Sequence, residues 1–139
     1  MDIQLADIWI AAGVLIGFQV TSFIWRISRE VEVGKTRDIT WLPPADVLNL
    51  LSMVIAMVGV FVLPILGLVD LSFIKLSFGL AVLLFVSYPF ALAGHYDMYN
   101  NKTSRSFLYF PAQEKVVVAI TAILVILYLL FAIILHSGS

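Results

Sequence analysis

Cysteine is absent from the 139 residues, which excludes disulfides, thiol redox chemistry and thiolate metal sites. Charge is scarce: Asp, Glu, Lys and Arg supply 12% of the chain against 62% hydrophobic residues, whereas a soluble domain carries roughly 25% charged residues. A single core surrounded by water is excluded on that balance. The eight Lys and Arg are scattered and the net charge is −1, so no basic stripe forms and no nucleic-acid partner is expected. Before the first apolar run there is no Lys or Arg, only Asp2 and Asp7, and no small-residue cleavage site follows it; a cleaved signal peptide is not expected.

What the chain has in quantity is long apolar segments, four of them, over residues 8–27, 46–68, 71–94 and 112–135. A hydrocarbon layer about 30 Å thick is crossed by roughly 20 helical residues at about 1.5 Å each. Every backbone polar group in that layer must be paired, and these segments lack the in/out alternation of barrel strands. The expected fold is an all-α integral membrane protein, an antiparallel four-transmembrane-helix bundle forming a single domain over residues 1–139. Only Val69 and Asp70 separate the second and third spans, with Pro64 and Gly67 just upstream, which predicts a tight hairpin there.

Charge placement predicts the orientation. Arg26, Arg29, Lys35 and Arg37 lie at or in the connection 28–45, and Lys102, Arg105 and Lys115 at or near the connection 95–111, against Lys75 alone on the other side. The positive-inside rule then puts both long connections in the cytoplasm and both termini on the outer side of a plasma or inner membrane, in a multi-pass arrangement. Lys75 is expected to snorkel toward the outer headgroups.

Short strings that resemble chemistry fail on context. Gly34-Lys35-Thr36 echoes the end of a phosphate-binding loop, but Arg29 stands where the first glycine belongs and no strand precedes it. His95 and His136 are too few and too far apart for a histidine metal site, and no serine sits in a nucleophile elbow. The sequon Asn101-Lys102-Thr103 falls on the side facing away from a glycosylating lumen. No catalytic residue, cofactor or metal is assigned.

Polar and small residues inside the spans carry more information. Gln19, Ser22, Arg26 and Arg29 share one face of the first helix, while Gly13 and Gly17 form a small-residue face of the kind that lets membrane helices approach closely. Asn49, Ser52, Ala56 and Gly59 make a stripe on the second helix with Asp46 at its end, and Ser77, Ala81, Tyr88, Ala91 and His95 lie along the third. Pro89 has no N–H for the carbonyl of Phe85, which predicts a kink. Glu114, Thr121 and Tyr128 recur at seven-residue steps on the fourth. With these stripes facing inward, Arg26, Arg29, Asp46, Asn49, His95, Asp97, Glu114 and Lys115 gather at the cytoplasmic end, with Gln19, Ser22, Ser52, Thr121 and Tyr128 as intramembrane polar groups. Gly13, Gly17, Ala56, Gly59 and Ala91 are the helix-packing positions.

Such a cluster reads either as interfacial charges paired with one another and with lipid headgroups, or as a polar vestibule in which Arg26 and Arg29 hold an anion and Glu114 or His95 titrates. The leading functional expectation is a small non-catalytic subunit, assembly factor or regulator of a membrane complex, acting through helix packing, with membrane lipids and either further copies or other membrane subunits as partners. A homo-oligomeric channel or small transporter is the alternative, since four slim helices do not enclose a wide pore in one copy. A headgroup-directed membrane enzyme using His95, Asp97 or Glu114 is the third reading.

Overall fold

The computed structural model describes residues 4–36, 42–99 and 109–137, with side chains as far as Ile134. The sequence features at Arg37, Lys102, Arg105, the sequon and His136 lie outside the described residues or side chains. Four helices account for the regular structure: α1 (Leu5–Gly34), α2 (Pro44–Ile65), α3 (Leu71–His95) and α4 (Ala112–Ser137). Each is long and apolar enough to cross a membrane, and no strand occurs among the described residues.

The first helix outlasts its apolar stretch by about two turns, to Gly34. Hydropathy marks where the hydrocarbon ends, not where helix propensity ends; Ser28 to Val33 remains competent to form helix in the headgroup zone, and the Lys35–Glu32 ion pair at 2.7 Å closes the last turn. At the other end Gln4 and Asp7 form a reciprocal capping box.

The second helix departs most from regularity. Residues Ala56–Val62 follow a π-helical register, and the N–H of Leu63 donates to the carbonyl of Val58, five residues back. Pro64 explains the disturbance, because its ring crowds the carbonyl four residues earlier and it has no N–H to offer there. That carbonyl belongs to Val60, and the Trp9 indole Nε1–H from α1 donates to it at 2.8 Å. A backbone acceptor in a lipid-facing layer is costly to leave unmatched, so Trp9 meets a need created by Pro64 on another helix.

A Schellman turn ends α2: the Leu68 N–H reaches the Leu63 carbonyl at 3.0 Å and the Gly67 N–H reaches that of Pro64 at 2.9 Å. Gly67 takes the left-handed conformation this requires, with φ +68°. Asp70 then caps α3 by accepting from the Phe73 N–H at 2.9 Å. The chain reverses, and facing residues on α2 and α3 count in opposite directions: Ala45 and Leu48 lie by Tyr88 and Ala91, whereas Val60 lies by Ile74. Beside Val60, a Cβ added at Gly59 would lie 2.6 Å from the Ser77 Cβ. The third helix keeps its register through Pro89.

These two helices form the centre of the bundle, with α4 against α3 and α1 lying along both through Ile8, Ala12, Leu15, Gln19 and Arg26. The buried alanines Ala12, Ala45, Ala56, Ala81 and Ala91 are fully inaccessible, as close backbone approach in membrane bundles demands. Large aliphatic side chains face outward instead, among them Ile123, Leu127 and Ile134 on α4.

Candidate functional site

The polar side chains of the bundle fall into three linked groups. The deepest joins α1, α2 and α3. Gln19 Nε2 donates to Ser52 Oγ, which donates onward to the carbonyl of Ala81, while Asn49 Nδ2 donates to the carbonyl of Gln19 at 3.1 Å. Gln19, Asn49 and Ser52 have no accessible surface. The direction of this chain fixes both amides, since a hydroxyl that donates to Ala81 must accept from the Gln19 amide nitrogen. Three oxygens, Gln19 Oε1, Asn49 Oδ1 and Asp46 Oδ1, accept no hydrogen bond.

Toward the loop end of α1, Arg26 is buried, pairing with Glu30 one turn on and, through Nε at 3.4 Å, with Asp46 at the start of α2. Tyr96, just past α3, donates its hydroxyl to Glu30 at 3.3 Å, and its ring lies 4.1 Å from the guanidinium carbon of Arg29. Burial raises the Tyr96 pKa, Arg26 and Arg29 pull it back, and Glu30 raises it again, so the hydroxyl keeps its proton as a donor. Arg29 itself is exposed.

The third group is a clasp among α2, α3 and α4. Glu114 is fully buried; one carboxylate oxygen accepts from the Ala45 N–H at 2.7 Å and the other meets His95 Nδ1 at 2.8 Å. Pro43, at the cap of α2, has no side chain able to satisfy the first N–H groups. The carboxylate of Glu114 takes over that task from another helix, where the positive end of the α2 dipole also favours it. His95 occupies the last turn of α3. Gly94 makes the approach possible, because a Cβ there would fall 2.8 Å from the Glu114 backbone nitrogen.

Not every residue singled out by its position in the sequence enters these groups. Asp97 ends α3 as the left-handed residue of a second Schellman turn, with φ 55°, the Met98 N–H reaching Ala93 and the Asp97 N–H reaching Gly94. Lys115 is exposed, 5.5 Å from the Phe110 ring centre. Thr121 bonds back to the carbonyl of Val117 in its own helix, and Tyr128 donates to that of Leu76 at 3.0 Å. Ser22 is half-buried. Gly13 and Gly17 are exposed, and a Cβ at either would meet nothing within 4 Å. Glu30, Tyr96 and Gly94 were not singled out; Glu30 lies one turn beyond Arg26, a spacing at which opposite charges pair on a helix.

Among the described residues no group of three or more His, Asp or Glu side chains is placed to hold a metal ion. The arrangement ties helix ends together and neutralises a buried arginine. These features define the class: a small, all-helical membrane protein with four potential spans and a polar clasp at one end. Comparison with known protein families, curated proteins and solved structures returns no match for the chain.

Proposed function

We propose that this protein is a non-catalytic subunit or regulator of a membrane complex, and that the Gly13/Gly17 face of α1 receives a helix of a different membrane protein. The observation that carries this reading is a contrast between glycines. Gly59 and Gly94 are filled against by neighbouring helices of the same chain, whereas Gly13 and Gly17 stand on an exposed face with nothing within 4 Å of an added Cβ. In lipid, helices associate by packing small residues against a partner's backbone, so such a face on an outer helix suits a partner. The polar groups of the interior support the same view, since most of them engage one another as structural ties.

In this reading the polar end faces the cytoplasm and both termini lie outside, supported by the excess of Lys and Arg on the two long connections. Cysteines introduced at Ser106 and Ser137 of this cysteine-free chain should react with an impermeant thiol reagent from opposite sides; reaction from one side overturns the orientation.

Native mass spectrometry after gentle extraction from the source membrane tests the function. A stoichiometric heteromer that is lost in the Gly13→Leu/Gly17→Leu variant is the expected result. A monomer, or copies of this chain alone, overturns it.

A second reading, passage or binding of a small cation, is favoured by the acceptor oxygens of Gln19, Asn49 and Asp46 that lack donors. Ion flux in liposomes that Gln19→Leu abolishes would support it; no flux across a broad ion panel would remove it.

A further inference from the structure

A cleft of about 650 Å³ opens between α1 and α3 at the polar end, bordered by Trp25, Arg26, Arg29, Tyr88, Pro89 and Leu92 among others. Its volume lies in the range of about 300–1,000 Å³ usual for small-molecule sites. We propose that it binds an anionic phospholipid, with the phosphate on Arg29 and the glycerol and upper chain against Trp25, Pro89 and Leu92.

Charge selects the class of ligand. Among the described residues, the charged side chains lining the cleft are Arg26 and Arg29. Arg26 is engaged by Glu30 and Asp46, whereas Arg29 meets the Tyr96 ring, and none of the ion pairs among the described residues includes it. It follows the apolar stretch of α1 directly, at the level where a bilayer presents phosphate. A guanidinium there offers a forked set of donors to phosphate oxygens. A zwitterionic lipid would bring its own cation to a cleft with no acidic lining residue among those described, and the Tyr96 face that such a cation would seek already carries Arg29.

Tyr88, Pro89 and Leu92 form the wall of the cleft on the α3 side, an apolar surface of the kind that accepts the glycerol and upper chain of a lipid. Trp25, 76% exposed beside them, is an interfacial side chain of the kind that sits at headgroup level.

Trp25 also makes the test. Tryptophan fluorescence is measured for the full chain in phosphatidylcholine bilayers containing a minor fraction of either brominated phosphatidylglycerol or brominated phosphatidylcholine. The same is done with Trp25→Phe, so that the difference reports Trp25. The expected result is that the phosphatidylglycerol quenches Trp25 at about fivefold lower mole fraction, the equivalent of one basic residue's attraction to anionic lipid. Arg29→Gln should erase that preference, Arg29→Lys keep part of it, and exposed Lys115→Gln leave it intact. Equal quenching by the two lipids overturns the proposal, as does a preference that survives Arg29→Gln or disappears with Lys115→Gln.

Discussion

Replacing Glu114 by alanine removes a buried group that serves two others on two different helices. The Ala45 N–H at 2.7 Å and His95 Nδ1 at 2.8 Å both lose their partner. An unsatisfied buried polar group costs about 1–3 kcal/mol, so the pair gives about 2–6 kcal/mol before any cavity is counted. The upper half of that range requires that water stay out, and the low accessibility of His95 and Ala45, 4% and 0%, argues that it does. Glu114→Gln keeps an acceptor for the Ala45 N–H and should cost about 1–2 kcal/mol, the weakening of one charge-assisted bond. Gly94→Ala should mimic Glu114→Ala in part, since its Cβ would press on the Glu114 backbone at 2.8 Å, an overpacking worth about 1–3 kcal/mol. Reversible unfolding in mixed micelles with increasing denaturing detergent reads these differences. The reference is Glu32→Ala, an exposed carboxylate whose pair with Lys35 contributes little. A Glu114→Ala variant within about 0.5 kcal/mol of that reference would refute the clasp.

Two further tests use compensating pairs. Gly59→Ala should destabilise by about 1–3 kcal/mol, because its Cβ would lie 2.6 Å from both Cβ and Oγ of Ser77; Ser77→Gly in the same chain should recover part of the loss, and strict additivity of the two changes would contradict the contact. Trp9→Phe should cost about 0.6–1.7 kcal/mol by stranding the Val60 carbonyl. Pro64→Ala restores an N–H four residues after Val60, so the double variant should lose less than Trp9→Phe alone does in the natural background; an unchanged cost would show that the indole bond does not answer to the proline.

The existence of four helices was legible because hydropathy over some 20 residues integrates a large signal, while their ends were less so. Ser28 to Gly34 continues α1 with polar residues that hydropathy discounts. The π register of α2 had a readable cause, Pro64, but its remedy lay 51 residues away at Trp9. Helical spacing was a sound guide to burial on α2 and α3, where Asn49, Ser52, Ala56, Gly59, Ser77, Ala81, Tyr88, Ala91 and His95 are all buried. It was a weaker guide near helix ends. Arg26 and Arg29 share a face, yet one is buried by Asp46 and the other exposed, a difference set by where α2 begins rather than by anything on α1. Asp97 is a helix stop because of its φ, which a carboxylate beside a histidine does not announce. The pairing of Glu114 with the first turn of α2 answers to Pro43 and Pro44, which start a helix without supplying a side-chain cap, and it joins residues 69 positions apart.

The outer face of α1 is where the account is most exposed to test. A photo-reactive side chain placed at Ile10, a large residue one turn before Gly13 and 69% exposed, leaves the two glycines intact; with Leu127 among the aliphatic residues of α4 as comparison, it can be activated in native membranes. A discrete protein adduct from position 10, with lipid adducts alone from position 127, is the result predicted for a helix-receiving face. Lipid adducts alone from position 10 would contradict it.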